Sequence, residues 1–279
     1  MTRSYRILVT FIIIYMGILM HTIYAQNSQN TTLLGRFPFG DCRAVDVVGT
    51  LAYLNSGIYL RIVDFSDSAH PVELGRTVLP FPASEIAVNG SFAYVIQDDI
   101  DGFLIIDVSD PTNPAQTGFL NSVSSGSEMA VSDSLVYVAD DEDGLQIINV
   151  SDPSNPTETG FFDTGGTASD VAISGSLAYV ADGAEGLRII DISDPANLTE
   201  IGFLDTEQYT HTLAVSDSLA CIVDWSDSLR IVDVSNPGNP MELGTAELPE
   251  FVIDLVISGR FTYVADGFGG LRIVDINDP

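Results

Sequence analysis

Oxygen-bearing side chains recur at similar intervals along this chain, and their type and spacing make them the residues best suited to chemistry. There are six such positions, and five of them carry carboxylates. They are Asp46, Glu85, Glu128, Asp170, Thr212 and Asp254. Several oxygen ligands together suit a hard cation such as calcium, which takes roughly six to eight of them. The same carboxylates would alternatively accept hydrogen bonds from backbone amides and serve only the fold. The sequence therefore predicts an acidic collar that either holds a calcium-like cation or stabilises neighbouring turns.

A second group of residues is expected in turns at the rim of the same structure. Its members are Asp140, Asp182, Asp224, Asp266, His211 and Trp225. The four aspartates either contact a ligand or only shape their turns, since Asp followed by Gly is ordinary turn chemistry. His211 would be a metal ligand, an acid or base, or a bystander, and Trp225 would be a contact residue for a partner.

Motifs for catalysis are absent from the sequence. It contains no nucleophile elbow, no glycine-rich phosphate loop and no zinc-ligand spacing. Glu85 with Glu128 or Asp170 would form an acid and base pair, but any two carboxylates in so acidic a chain would qualify equally. We predict no catalytic residue and no required cofactor, and we keep a cation-dependent hydrolase or lyase at the acidic collar as the alternative function.

The charge balance excludes one class of partner. The 279 residues include 39 Asp and Glu against 10 basic residues, all of them Arg, so the formal charge is −29. Binding to nucleic acid requires clustered Lys and Arg that neutralise phosphates, and this chain has none. No nucleic-acid partner is therefore expected, whereas cations and basic proteins are attracted by such a surface.

An internal repeat positions these residues. The phrase Leu-x-Ile-Ile/Val-Asp, or a close variant, ends at residues 64, 107, 149, 191, 233 and 275, at intervals of 43 and then four times 42. Each repeat holds four short runs rich in Val, Ile, Tyr and Phe between turn residues, which we name strands a to d. Nearly continuous apolar runs in a to c mean that both faces of each sheet are buried. This pattern predicts an all-β, six-bladed β-propeller with four strands per blade.

The ends of the repeat array suggest how the last blade is completed. The last repeat stops after strand c, while residues 33–37 read as a d-type strand without the preceding three strands. Pairing of these segments would remove exposed sheet edges. We therefore predict that an N-terminal strand completes the last blade, so that the propeller spans residues 33–279.

The N-terminus reads as an export signal. Residues 1–25 combine Arg3 and Arg6 with an apolar stretch and a polar break ending at Ala25, and residues 26–32 form a short polar leader. We expect cleavage after Ala25 and no membrane span in the mature protein. The alternative is an uncleaved membrane anchor, although the apolar stretch is short for a membrane span. Cys42 and Cys221 fall in blades 1 and 5, which are not neighbours, and two free thiols are expected.

The repeat phrase resembles a known family. Leu-Arg-Ile-Val-Asp at residues 60–64, 229–233 and 271–275 is similar to the LVIVD repeat of bacterial and archaeal cell-surface proteins. The resemblance implies a secreted or surface-displayed propeller, and it brings no catalytic residues with it. The arginines of this phrase are Arg61, Arg188, Arg230 and Arg272, and we expect them to pair with acids on the adjacent blade.

Together these observations predict a secreted or cell-surface propeller that binds or scaffolds without catalysis. The expected partner is an extracellular protein or a glycan, and a monomer is expected. Blade 5, which carries both His211 and Trp225, is the place where the repeats differ most.

Overall fold

Short apolar runs bounded by Gly, Asp, Ser or Pro form antiparallel strands along the chain. The structure is a computed structural model that describes residues 42–97, 102–123 and 126–277. Within these residues it contains strands, turns and one short 3-10 turn at Gly267–Gly269. The chain divides into two compact units, Met1–Phe119 and Leu120–Pro279, which are described in turn.

The first unit contains two four-stranded sheets, each with its strands in chain order. Hairpins join successive strands because each run is followed by a Gly or Asp turn. The strands are β1 (Val45–Val48), β2 (Leu51–Ser56), β3 (Tyr59–Asp64), β4 (Val72–Val78), β5 (Ala83–Asn89), β6 (Phe92–Gln97), β7 (Phe103–Asp107) and β8 (Ala115–Leu120).

The second unit contains three four-stranded sheets and one three-stranded sheet, again in chain order. Its strands are β9 (Glu128–Ser132), β10 (Leu135–Ala139), β11 (Leu145–Asn149), β12 (Thr157–Phe162), β13 (Asp170–Ser174), β14 (Leu177–Ala181), β15 (Leu187–Asp191), β16 (Thr199–Leu204), β17 (Thr210–Ser216), β18 (Leu219–Asp224), β19 (Ser228–Asp233), β20 (Met241–Glu247), β21 (Asp254–Ser258), β22 (Phe261–Asp266) and β23 (Gly270–Asp275). Each sheet is one predicted blade, with strands a to d in order in the four-stranded sheets and strands a to c in the last sheet among the described residues.

The apolar residues of the repeat phrase fill the space between consecutive sheets. Leu229 and Ile231 of β19 pack in one cluster with Val252 and Leu255, which belong to the next sheet and the loop leading into it. The side chains of Leu229 and Ile231 are almost fully buried, with 0% and 3% of their surface exposed. Burial of such side chains contributes about 1.5–3 kcal/mol each, so consecutive sheets stabilise one another.

The carboxylate that ends the phrase forms a turn. Asp191 Oδ1 accepts a hydrogen bond of 2.9 Å from the amide of Ser193, and Asp233 Oδ1 accepts one of 2.8 Å from Ser235. Hydrogen bonds from Ser193 hold the pKa of Asp191 below its ordinary value. The last residue of the phrase therefore ends strand c by replacing a backbone hydrogen bond with a side-chain one.

The glycine that recurs in strand d is required by close approach of the next blade. A Cβ on Gly202 would lie 2.0 Å from the carbonyl oxygen of Pro237, in the turn between β19 and β20. Gly160 and Gly75 meet the carbonyls of Pro195 and Pro111 in the same way, at 2.1 and 2.5 Å. The recurring glycine of strand d therefore contacts the recurring proline of the next blade.

The predicted closure of the last blade concerns residues outside the described part of the chain. The sixth sheet has the order β21-β22-β23 among described residues. The proposed closing strand at residues 33–37, the signal at residues 1–25 and the leader at residues 26–32 precede the first described residue, so these three assignments stay predictions. Within the described residues, no helix has the length and hydropathy needed to cross a membrane.

Substitution of Gly202 by Ala tests the contact between blades. We expect Gly202→Ala to lower the free energy of unfolding by about 1–3 kcal/mol, because the added methyl group overlaps a backbone carbonyl. Gly238→Ala is the matched control, since a Cβ there comes no nearer than 3.4 Å to its closest neighbour. Urea denaturation of both variants measures the difference, and equal stabilities would contradict the proposed contact.

Candidate functional site

Asp170 opens β13 and connects two neighbouring innermost strands. Its Oδ2 accepts hydrogen bonds from Thr212 Oγ1 at 2.9 Å and from the amide of Leu213 at 2.7 Å, both on β17. Burial raises the pKa of Asp170 to about 6, although the hydrogen bonds from Leu213, Thr212 and Val171 act in the opposite direction. This carboxylate of the predicted collar is therefore used as an acceptor for the adjacent blade.

Asp46 makes the same kind of bridge from a different position. Its Oδ2 accepts a bond of 2.6 Å from the amide of Val88 on β5, and its Oδ1 accepts one of 2.7 Å from Val47. However, Asp46 lies opposite Tyr53 in its sheet, as Ala172 lies opposite Tyr179 in blade 4. Asp46 is thus two residues further along strand a than Asp170, and its alignment with the other collar residues in the sequence was wrong.

The remaining collar residues differ in exposure. Glu85 and Asp254 are half-buried, Glu128 is exposed and Thr212 is buried. Asp254 Oδ1 accepts a hydrogen bond of 2.7 Å from the amide of Leu255, which resembles the bond from Val47 to Asp46. The described residues include no group of three or more His, Cys, Asp or Glu side chains arranged to hold a metal ion. A cation at the collar stays a prediction.

The four rim aspartates are buried inside their own blades. Asp140, Asp182 and Asp266 have 0% exposure and Asp224 has 1%. Each meets the residue six positions later on strand c, because the turn between strands b and c folds these positions together. The pairs are Asp140 with Gln146, Asp182 with Arg188, Asp224 with Arg230, and Asp266 with Arg272.

The pKa values of Asp182 and Asp224 are shifted in opposite directions. Arg230 Nε donates to Asp224 Oδ2 at 2.9 Å, and hydrogen bonds from Ser226 and Arg230 lower the pKa of Asp224 although burial acts to raise it. Arg188 Nε lies 3.7 Å from Asp182 Oδ2, and burial raises the pKa of Asp182. The structure therefore does not present these carboxylates at the surface for a ligand.

The arginines of the repeat phrase pair within their own blades, so the expectation of partners on the adjacent blade was wrong. Arg61 lies 2.5 Å from Glu73 and Arg230 lies 2.7 Å from Glu242, in each case on strand d of the same sheet. Strand c is hydrogen-bonded to strand d, so a long side chain on c reaches a carboxylate on d without leaving the sheet.

His211 is an extra residue in its strand. The register of β17 against β18 shifts between Thr210 and Thr212, so His211 forms a β-bulge. Its Nε2 lies 2.9 Å from the carbonyl oxygen of Val252, and its ring stacks on Phe251 at 5.0 Å. Burial lowers the pKa of His211, so the ring is neutral at pH 7 and Nε2 donates to Val252. His211 therefore ties blade 5 to the loop before blade 6.

The aromatic ring of Trp225 is held by a neighbouring side chain and is exposed to solvent. It stacks on Tyr209 with ring centroids 4.2 Å apart, and its amide donates to the carbonyl of Tyr209 at 2.9 Å. Tyr209 is supported from behind by Gly183, where a Cβ would lie 2.8 Å from the tyrosine ring. Despite this stacking, Trp225 keeps 60% of its surface exposed.

Further exposed aromatic residues lie in the loop and turn of blade 6. Phe251 is 55% exposed and Phe268 is 79% exposed. The turn that carries Phe268 lies against Phe251, because a Cβ on Gly267 would be 2.8 Å from the Phe251 carbonyl oxygen. We call the set the aromatic rim, and its members are Tyr209, His211, Trp225, Phe251 and Phe268.

Sequence reasoning found only two members of the aromatic rim. His211 and Trp225 were recognised because they break the repeat, and the structure brings them to the same side of blade 5. Tyr209, Phe251 and Phe268 were missed, although each lies in a loop or turn that the repeat register assigns to the same rim. Comparison of these loops for aromatic residues would have been the available signal.

Removal of Arg230 tests the buried pair. We expect Arg230→Gln to lower the free energy of unfolding by about 2–4 kcal/mol, because it leaves the buried Asp224 carboxylate without its cation. The double variant with Asp224→Asn should recover part of this loss. Arg260→Gln is the control, since its pair with Asp275 is exposed and should change little. A loss no larger for Arg230→Gln than for Arg260→Gln would contradict the role of the pair.

The raised pKa of Asp170 should make the free energy of unfolding depend on pH. A folded pKa of about 6 against an ordinary 3.8 means that the folded protein holds this proton more tightly than the unfolded chain. The resulting stabilisation is complete below pH 3.8 and is lost as the pH rises through about 6, by at most about 3 kcal/mol.

The difference in unfolding free energy between wild type and Asp170→Asn, measured from pH 4 to pH 7, isolates this contribution from other acids. Asp163→Asn, at an exposed turn, is the control and should show no such trend. A flat difference for Asp170→Asn would contradict the raised pKa.

Comparison with solved structures identifies the fold. The chain is similar to a functionally unknown protein from Desulfotomaculum acetoxidans DSM 771, with a TM-score of 0.74 at 13% identity, covering 88% of this chain and 87% of that one. It is also similar to the Cps50 (Swd1) β-propeller domain of Myceliophteria thermophila, with a TM-score of 0.68 at 11% identity over 85% and 84%. BamB from Moraxella catarrhalis gives a TM-score of 0.63 at 12% identity over 86% and 71%. The predicted six-bladed β-propeller is confirmed.

Sequence comparison identifies the repeat. A search of curated proteins finds no match. The LVIVD repeat, by contrast, matches six consecutive segments, namely residues 39–78, 82–121, 125–164, 165–206, 208–247 and 252–279. These segments coincide with the six sheets and contain the Asp turns and buried Leu and Ile residues described above. The chain therefore belongs to the LVIVD repeat family.

Proposed function

We propose that this protein is an exported, non-catalytic binding propeller that contacts an extracellular protein or glycan through the aromatic rim. The observation that carries the proposal is Trp225, which is 60% exposed although it is held in place by Tyr209. The corresponding turn positions in blades 3, 4 and 6 carry Asp141, Gly183 and Gly267. A large aromatic ring fixed in an exposed turn is typical of residues that dominate binding energy.

The rigidity of the rim supports a role in binding. Hydrogen bonds and ring stacking hold Trp225 and His211 in place before any partner arrives. Little side-chain entropy is then lost when a ligand packs on the rim. The surface is also local to blades 5 and 6, where the repeats depart from their common pattern.

Export is proposed from the N-terminal sequence and from the family. Residues 1–25 carry the basic, apolar and polar regions of a secretory signal. LVIVD repeats are commonly found in extracellular proteins. Both features support a secreted or cell-surface location.

The contacts of the collar residues favour binding over a cation-dependent hydrolase or lyase. Asp46 and Asp170 direct carboxylate oxygens at backbone amides of the adjacent strand a. Such carboxylates stabilise contacts between blades. Within the aromatic rim, His211 holds the loop before blade 6, whereas Trp225 stacks on Tyr209 and keeps 60% of its surface exposed.

A ligand panel tests the proposed binding function. The protein of residues 26–279 is screened against immobilised glycans and peptides from extracellular proteins, together with Trp225→Ala and Phe203→Ala. Phe203 is the matched control because it is also an exposed aromatic, at 57%, but lies on strand d. We expect at least one ligand whose affinity falls about tenfold or more in Trp225→Ala and stays unchanged in Phe203→Ala.

Two results would contradict the proposal. Either the wild-type protein binds nothing on the panel, or its ligands bind Trp225→Ala as tightly as wild type. Thermal unfolding of both variants confirms that the fold is intact, since each change removes a ring from the surface.

A further inference from the structure

We infer that the aromatic rim recognises a positively charged segment of a partner protein, with a Lys or Arg side chain placed on the open face of Trp225. The inference rests on the proposed binding function and names the chemical class of the partner. It is carried by the aromatic stack, by the charges in the loops around it and by the neutral state of His211.

The stack leaves one face of Trp225 available. Tyr209 covers the other face at 4.2 Å, and the tyrosine is itself positioned by Gly183 and by Ser169 Oγ, which lies 3.4 Å from its hydroxyl. A cation over an exposed tryptophan ring gains about 0.5–1 kcal/mol, and Trp is the strongest of the aromatic residues for this contact. A fixed ring offers this attraction without a cost of ordering.

The loops that carry the aromatic rim contain acidic residues and no basic ones, while Arg230 and Arg272 of strand c reach into these loops at Asp224, at Asp266 and at the carbonyl of Thr206. The loops and turns that form the rim span residues 205–211, 224–228, 248–253 and 266–270, and they contain no Lys or Arg. Asp224 and Asp266 are already neutralised by Arg230 and Arg272. The acids that remain in these loops are Asp205, Glu207, Asp227 and Glu250.

These remaining acids are placed to attract a cationic ligand. Asp205, Glu207 and Glu250 are exposed and Asp227 is half-buried, and the described residues give none of the four an ion-pair partner. Each lies within a few residues of Tyr209, Trp225 or Phe251 in the chain. Complementary charge raises the rate and selectivity of association with a basic partner.

His211 does not oppose a cation. Burial lowers the pKa of His211, so at pH 7 the ring beside Phe251 carries no positive charge. A neutral glycan would also stack on Trp225 and would donate hydrogen bonds to carboxylates, but only a cationic ligand gains the charge attraction of four acids without counter-ions. The charge pattern therefore favours a basic protein segment over a neutral sugar.

Tryptophan fluorescence tests the inference directly, because Trp225 is the single tryptophan of the chain. The protein of residues 26–279 is titrated with a short peptide of alternating Arg and Gly. The matched probes are the same peptide with citrulline in place of Arg, which keeps the shape and removes the charge, and a neutral chitooligosaccharide. We expect a saturable change in emission with the Arg peptide alone, and weaker binding as salt rises towards about 1 M.

Matched charge variants distinguish a site from general attraction to an acidic protein. Glu207→Gln with Asp227→Asn removes two charges at the rim and should weaken the Arg peptide by about fivefold. Glu158→Gln with Asp163→Asn removes two exposed charges elsewhere and should change affinity by less than about twofold. Equal weakening by the two double variants would overturn the inference.

The remaining outcomes separate the inference from the proposed function. A change in emission with the oligosaccharide or the citrulline peptide, but not with the Arg peptide, would overturn the cationic class and leave the binding function intact. No change with any probe would also overturn the inference, and the ligand panel would then decide the binding function by itself.

Discussion

The burial of both faces of the central strands in blades 1 to 5 is the constraint on which this structure depends. The Leu and Ile of the repeat phrase have almost no exposure in blades 1 and 3 to 5, and they are covered by strands of the next sheet or by the loop leading into it. A single four-stranded sheet with two apolar faces is not stable in water, so the repeat folds only as part of a series. The glycine of strand d and the carbonyl of the next proline follow from the same close packing.

Acidic side chains perform three distinct structural tasks in this packing. The Asp at the end of strand c forms a turn, the Asp after strand b pairs with a strand-c arginine or glutamine, and Asp46 and Asp170 join neighbouring strands a. Much of the negative charge is therefore engaged in the fold and is not a uniform solvated surface. Asp205, Glu207, Asp227 and Glu250 of the rim loops differ, because no ion pair joins them to another described residue.

Blade 5 shows how one repeat acquires local contacts of its own without losing its fold. His211 lies at a bulge of strand a, and strand a of blade 2 has the same register shift between Ala83 and Glu85. The side chain at this bulge holds the loop of blade 6, while the turn position that is Gly183 in blade 4 becomes Trp225. Gly183 in turn leaves room for Tyr209, so the aromatic stack depends on a glycine in the preceding blade. These changes lie in loops and at a strand end, where they disturb few core contacts.

Periodicity alone determined the repeat length, the four strands of each unit and the sixfold repetition, because buried strands and tight turns leave a strong pattern in sequence. The tertiary structure, by contrast, decided which residues the charged side chains contact. Asp46 was assigned to the wrong position because residues two apart on a strand share a face, and only the pairing with Tyr53 fixes its register. Arg230 has acids within reach on several sides in any alignment, and only the sheet geometry selects Asp224 and Glu242.

The contacts of the aromatic rim were likewise not predicted from the sequence, since Tyr209 and Trp225 are separated along the chain, as are His211 and Phe251, and each pair meets through loop geometry. Sequence specifies which faces must be buried, whereas contacts between loops depend on angles and distances that no short-range pattern encodes.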